Sequence, residues 1–360
     1  MSQASRSLGW ALYATSSWTW CIGMFLPVLL MQWFGWSGFL LIALPNCIGA
    51  AAMGLLLGSP EASRQFCARH ATLMKWFEKV TIGFHLVFLA IIGRWWLDPE
   101  GHLAIWLLPL AAITIASALS IAPRQWWPAM GAIAFACGGL VVFNANQPDV
   151  AVVWTGTRSI MDLGWMAPIF CIGFILCPWL DGPFHRARQE TDGPWSSLIL
   201  GIAFACMLLV TASYSWIGPS AISNAVIAWL IGQSIFTMAA NMREMRHGVG
   251  QAIVRIPWLV EIAVVGCIVF VCFKPTWLQC TDLYLRWLSL YGLVFPLLAI
   301  AWCRRQSPRP NTAHIIRVTL LILIASGLGE VGFIHGPAWV GAIAVVPVLA
   351  AFITWPRSTS

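Results

Sequence analysis

The chain has 360 residues, of which 59% are apolar; 20 Lys and Arg stand against 13 Asp and Glu, giving a net charge of +7. Charged residues make up 9%, against about 25% in a soluble domain, and apolar stretches of about 20 residues, each able to cross a ~30 Å hydrocarbon core, recur from end to end. These figures exclude a cytosolic enzyme, a nucleic-acid binder and a receptor with a folded ectodomain, and they predict an all-α polytopic membrane protein.

In chain order the predicted spans are 10–32, 38–58, 76–95, 103–122, 127–145, 162–181, 195–215, 221–241, 257–273, 284–302, 314–333 and 338–355. The positive charges test this count. The N-terminal tail, the even-numbered loops and the C-terminal tail hold Arg6; Arg64, Arg69, Lys75 and Lys79; Arg124; Arg186 and Arg188; Arg243, Arg246 and Arg255; Arg304, Arg305, Arg309 and Arg317; and Arg357. The odd-numbered loops hold only Arg94, Arg158, Lys274 and Arg286. Short loops rich in Lys and Arg stay cytoplasmic. The unbroken alternation therefore predicts about twelve transmembrane helices in a plasma (inner) membrane, with both termini cytoplasmic. The first apolar run is too long for a signal-peptide h-region, so no cleaved leader is expected. Eleven scattered cysteines with no C-x-x-C read as small hydrophobes.

Span 1 carries Thr15, Ser16, Ser17 and Thr19 interleaved with Trp18 and Trp20, followed by Gly23 and Pro27. Span 2 has a small-residue face of Gly49, Ala50, Ala51, Ala52, Gly54 and Gly58, suited to close helix contact. Span 3 holds His85 near its middle, either a proton-coupling group or a neutral core histidine bonded to a hydroxyl. Span 6 is interrupted by Gly164, Pro168, Gly173, Pro178, Gly182 and Pro183. Backbone disrupted within a bilayer is tolerated where it packs in protein or lines a wet cavity. Spans 1 and 6 share the triplet Cys-Ile-Gly, at Cys21–Gly23 and Cys171–Gly173. Span 6 comes five spans after span 1, an odd step, so the two helices run in opposite directions. Interrupted helices at matching positions of inverted halves point to a secondary transporter with its site at the repeat interface. Gly23 and Gly173 are accordingly expected beside non-helical stretches, facing one cavity.

The plan resembles transporters of the amino acid–polyamine–organocation superfamily. Gly173 to Arg186 is similar to the sodium:solute symporter segment that reads Gly-x-Phe-Gly-Gln-Pro-His followed by an Arg: Pro178 and Arg186 match, while Leu176-Cys177 replaces Gly-Gln and Trp179 replaces the His. The resemblance implies a five-plus-five inverted-repeat core, with residues 1–150 as the first repeat, 151–304 as the second and 305–360 as two accessory helices. It also implies a pocket between spans 1, 3, 6 and 8, lined by Ser17, Trp18, Trp20, Gly23, His85, Phe170, Gly173 and Phe174. A candidate sodium site would take carbonyls from Thr19 to Gly23, with Thr19, Ser234 and Thr237 as oxygen ligands. Ser234, Thr237 and Asn241 share one face of span 8. Local back-bonding of these hydroxyls to the preceding turn is the alternative.

The remaining ionisable groups within spans are few. Glu261 lies near Arg255, Asp181 beside His185 and Arg186, Glu330 near the outer end of span 11, and Glu78 with Lys79 at the start of span 3. Pairing with adjacent basic residues is the expectation for Glu261 and Asp181. No two histidines are four apart, no P-loop or G-x-S-x-G occurs and carboxylates never cluster within a span, so no enzymatic site is expected. Most of the 23 tryptophans sit at span ends as interfacial belts. The leading expectation is a transporter of a small neutral or zwitterionic solute, with no cofactor beyond a candidate sodium ion and the lipid bilayer as its environment. A non-transporting helper or sensor derived from such a fold is the runner-up. The topology is checked by cysteine labelling: reagent applied from outside should modify Asp98→Cys and miss Arg69→Cys, and the reverse pattern contradicts the charge argument.

Overall fold

A computed structural model describes residues 2–144, 156–192, 195–213, 223–247, 258–303 and 312–354. Among them there are helices and no strand. Span 1 is a pair, α1 (Gln3–Trp18) and α2 (Cys21–Phe34), bent by 64° at the break between them. Then follow α3 (Trp36–Leu56), α4 (Pro60–Ile92), α5 (Leu103–Leu119), α6 (Trp127–Asn144), α7 (Ile160–Leu176) and a short, largely buried helix, α8 (Gly182–Gln189). The second half continues with α9 (Trp195–Ser213), α10 (Asn224–His247), α11 (Trp258–Cys272), α12 (Trp277–Ser289) and α13 (Phe295–Cys303). The last helices are α14 (Thr312–Gly329), α15 (Ala338–Ile343) and α16 (Val346–Thr354). Among the described residues, seven helices are long and apolar enough to cross a membrane alone, and α1–α2 are so together. The pair α5 and α6, bent by 112° at the turn between them, the shorter α11 and the pair α15–α16 fill the remaining predicted positions. The expected boundaries near 150 and 304–305 lie outside the described residues, as do Arg255, Arg304, Arg305, Arg309 and Arg357.

Local chemistry sets the element ends. Gly35 joins α2 to α3 with a φ of 63°, a left-handed conformation that favours glycine. Ser59 caps α4 by accepting the Ala62 N–H at 3.1 Å, with Pro60 in the first turn and Glu61 beside it. These signals start α4 about sixteen residues before the predicted span, so Arg64 and Arg69 stand on a helical extension rather than in a loop. That extension buries Ser63, Cys67, His70, Ala71 and Met74, and α4 packs against α8. Three π-helical turns, Gly93–Leu97, Leu290–Val294 and Glu330–Ile334, interrupt or end spans 3, 10 and 11.

Helices meet where side chains are smallest. A Cβ on Gly49 would stand 2.5 Å from the Phe174 carbonyl oxygen of α7, and one on Gly54 would strike Ser197 of α9. The small-residue face of span 2 is thus a contact surface for α7 and α9. Gly131 of α6 lies against the Tyr13 backbone of α1, and the Ser16 hydroxyl donates to its carbonyl at 2.8 Å. Outward faces are apolar: Leu103, Trp106, Leu107 and Leu110 of α5, and Ile315, Ile316, Leu320, Leu323 and Ile324 of α14, are exposed. This is the surface expected of a chain whose solvent is lipid.

Ion pairs sort the loops into two ends. Arg6, Arg124 and Arg186 all reach Glu190, while Arg186 and Arg243 reach Glu244. The N-terminal tail and the fourth, sixth and eighth loops therefore meet at one end. At the other end, Arg158 packs over Trp33 at 4.0 Å, Lys274 approaches Glu100 at 3.9 Å and Arg286 holds Glu330 through paired 3.1 Å contacts. The grouping is the one that the alternating charges predict. Gly131→Ala should lower stability by about 1–3 kcal/mol, because its methyl meets backbone rather than a movable side chain. Thermal unfolding in detergent checks this; an unchanged midpoint would show that α1 and α6 are not tightly apposed.

Candidate functional site

The break in span 1 falls at Thr19 and Trp20. Thr19 has ψ of 63° and Trp20 is extended, with ψ of 178°. Gly23, expected beside a non-helical stretch, sits next to this one in the first turn of α2. The freed backbone groups are met from three other spans. The Cys21 N–H donates to His85 Nε2 at 3.2 Å, and the Cys21 carbonyl accepts from the Tyr284 hydroxyl at 3.1 Å. The Ser16 and Thr19 carbonyls both accept from the side-chain amide Nε2 of Gln233, the latter at 3.2 Å.

Span 6 behaves differently from expectation. Residues Ile160–Leu180 form one helical span through Gly173, tightening to a 3-10 turn at Cys177–Leu180 and stopping at Asp181. Gly173 does not face Gly23: a Cβ there would meet Gly292 and the Tyr291 carbonyl at 3.0 Å. The glycine serves close packing against the π turn at Leu290–Val294. The α-helix ends just before Pro178, which has no N–H to donate to the preceding turn, and the chain tightens into the 3-10 turn there.

Spans 1 and 6 still converge on one cavity. It is lined by Trp18, Trp20, Ile22, Gly23, Ile42, Asn46, Phe174, Cys177, Phe204 and Tyr291, with a volume of about 10 Å³, room for a single water. No lining residue is charged. Trp18 and Trp20 pack with ring centroids 4.3 Å apart, and Trp20 lies 5.2 Å from Tyr291. Trp18 donates its indole N–H to Asn46 Oδ1 at 3.0 Å. Trp20 Nε1, Ser17 Oγ and Thr15 Oγ1 are buried without a hydrogen-bond partner. The Thr81 hydroxyl donates to the Phe77 carbonyl at 2.9 Å, so the Tyr291 hydroxyl, 3.0 Å away, is the donor to Thr81.

The other expected residues have different surroundings. His85 Nδ1 donates to the Thr81 carbonyl at 2.7 Å while Nε2 accepts the Cys21 N–H. This pair of partners requires the neutral Nδ1–H tautomer, and it makes His85 a support for the break rather than a lining residue. Its partners are backbone groups, not the expected hydroxyl. Phe170 stacks on Phe174 at 6.0 Å and meets Phe333 edge-on at 5.6 Å, behind the cavity. Asp181 makes no ion pair with His185 or Arg186; it caps α8 through Phe184 N at 3.1 Å. Glu261 pairs with Lys79 at 2.6 Å. His185, on α8, has its pKa pushed down to about 4 by burial. It accepts from the Ser63 hydroxyl at 2.9 Å and donates to the Trp179 carbonyl at 3.0 Å.

The oxygens assigned to a sodium ion are engaged by the protein itself. Ser234 Oγ donates to the Leu230 carbonyl at 2.7 Å, and Thr19 Oγ1 donates to the Thr15 carbonyl at 2.8 Å. Thr237 Oγ1 accepts from Gln233 Nε2 at 3.3 Å. One amide nitrogen thus faces Ser16 O, Thr19 O and Thr237 Oγ1, the kind of three-oxygen surrounding that the expectation gives to a cation. Gln233 precedes Thr237 by four residues and shares its helical face. That spacing was visible in the sequence; the partner carbonyls across the bundle were not.

No family model matches the chain, and no curated protein matches its sequence. Solved structures similar to it include three variants of a manganese transporter from Eremococcus coleocola. Their TM-scores are 0.44, 0.46 and 0.44 and their identities 15%, 14% and 16%; the match covers 97% of this chain and 90–91% of theirs.

Gln233→Leu keeps the side chain's bulk and removes the donor that the buried Ser16 and Thr19 carbonyls share, leaving the Ser16 carbonyl only its bond from the Thr19 N–H. A loss of about 1–3 kcal/mol is expected, measured by thermal unfolding. Wild-type stability in this variant would show that the amide does not hold the break.

Proposed function

We propose that the chain is a secondary transporter-like membrane protein that moves a small neutral or zwitterionic solute through the cavity at the span 1 break. The observation that carries this reading is the break itself, with its partnerless polar atoms. A helix interrupted inside a bundle exposes groups that a continuous helix would satisfy. Here Trp20, which lines the cavity, keeps a partnerless Nε1, and the partnerless Ser17 Oγ precedes the lining residue Trp18 in the chain. Indole N–H and hydroxyl groups suit a solute's hydroxyl, amide or carbonyl oxygens, and the rings suit its apolar part. With no charged lining residue, a free ion has no counter-charge there. The N-terminal end of α2 supplies a partial positive charge for the carboxylate of a zwitterion.

No sodium requirement is expected at that position, because the Gln233 amide already occupies the Thr19 carbonyl and Thr237 Oγ1, while the Ser234 and Thr19 hydroxyls donate to the Leu230 and Thr15 carbonyls. The cavity as described is closed, and a solute larger than water requires the helices around it to separate. The closed state equally suits the second reading, a helper or sensor that keeps a transporter architecture without a transport cycle.

Proteoliposomes loaded against a panel of neutral and zwitterionic solutes separate the two. Uptake should occur equally in sodium and choline buffers and should fall at least about tenfold in Trp20→Ala, equivalent to about 1.4 kcal/mol. Absence of flux for every solute, with the protein folded, would leave the helper reading. Uptake that requires sodium would contradict the role given to Gln233.

A further inference from the structure

Below the cavity, at the arginine-rich end, lies a group of buried carboxyls with no part in solute contact. Glu78 of α4 and Asp181, the cap of α8, are both fully buried. Glu78 Oε1 accepts the Gly182 N–H at 3.1 Å, and Asp181 Oδ1 accepts the Phe184 N–H at 3.1 Å. The remaining oxygens, Glu78 Oε2 and Asp181 Oδ2, are buried without a hydrogen-bond partner. Gly182 follows Asp181 in the chain, so the two carboxyls flank one peptide group. The fit is tight: a Cβ on Gly182 would strike Glu78 Oε1 and stand 2.8 Å from Glu244 Cβ.

The nearby charges are accounted for element by element. From α10, Glu244 is held by Arg186 and Arg243, and from α1 the Tyr13 hydroxyl donates to Glu244 at 3.3 Å. Glu190 takes Arg6, Arg124 and Arg186. Burial keeps His185 on α8 neutral. Lys75 lies one turn along α4 from Glu78 and acts on it through space. On α11, Glu261 takes Lys79. The helices α2, α3, α5, α9 and α13 bring no charged side chain. Among the described residues, neither Glu78 nor Asp181 has an ion-pair partner, and no trio of His, Cys, Asp and Glu could hold a metal.

We propose that Glu78 and Asp181 bind one proton between them, forming a proton site that ties α4 to the turn between α7 and α8. The N-terminus of α8 offers fractional positive charge, enough to favour one carboxylate and not two. Two like charges in one buried site drive one of them to its neutral form. The proton turns one partnerless acceptor into a donor, and the other partnerless oxygen is the acceptor it needs. Release of the proton leaves two buried anions flanking that peptide group, which pushes the Glu78 segment of α4 and the start of α8 apart. The proton site stands whatever the cavity carries; its use as the coupling ion rests on the transport reading.

Infrared spectroscopy of the full chain at neutral pH tests the site directly. Wild type should show the carbonyl stretch of a protonated carboxylic acid, shifted in heavy water. That band should be lost in both Glu78→Gln and Asp181→Asn. A wild-type spectrum without the band overturns the proposal, as does a band that survives both substitutions. If either variant fails to fold, the wild-type spectrum still decides, and raising the pH must abolish its band. An absent band together with a melting temperature higher in sodium than in choline chloride would assign the pair to a monovalent cation instead, and overturn the proton site. Failure of solute flux with the band intact would remove the transport reading and leave the proton site standing.

Discussion

The need to satisfy a broken backbone away from water organises this molecule. Two residues, Thr19 and Trp20, leave helical geometry in the middle of span 1. An unpaired buried peptide group costs roughly 1–3 kcal/mol by mutational measures. The chain meets that cost with three side chains from three other spans: His85 on α4, Gln233 on α10 and Tyr284 on α12. Each bond also pins a helix to the break, so the groups that satisfy the backbone set the bundle's centre. The aromatic cavity is what is left between the pins.

Charge obeys a different rule in the same bundle. Arginines gather at one end and are shared by two buried acids, Glu190 and Glu244. Single exposed ion pairs contribute little. Here the pairs converge from four separate segments, so their value lies in fixing which loops share a side. Glu78 and Asp181 sit within this region without receiving an arginine, and their neighbours leave them only hydrogen bonds from the start of α8.

The topology was legible because it depends on composition summed over whole segments. Apolar runs and the alternation of Lys and Arg are properties that one substitution hardly alters, and the ion-pair groupings follow them. The interruption in span 1 was legible from hydroxyls and tryptophans crowded before Pro27, and it falls at Thr19 and Trp20, the start of the stretch expected to unwind. Gly23 drew attention as a residue that permits unusual backbone, yet Thr19 and Trp20 take that geometry with no left-handed angle. In span 6 the same reasoning failed, because Gly173 is small for the sake of Gly292, a contact invisible in one dimension. The oxygens on span 8 were found by their spacing, but whether they face an ion or an amide depends on Gln233 reaching across to α1. His85 was legible as an important residue and not as a backbone cap, since its partners are a carbonyl and an amide that any residue carries.

The π turn at Leu290–Val294 has a bearing on how such a chain can change over generations. A π turn is an α-helix with one residue more than it needs. It lets Tyr291 reach the cavity while Gly292 lies against Gly173. Loss of a single codon there would restore regular helix and rotate everything beyond it by about 100°. The aromatic wall and the glycine contact would turn away together. This short stretch therefore tolerates substitution far better than it tolerates a change in length, and insertions or deletions that drift freely through the loops should be purged from it.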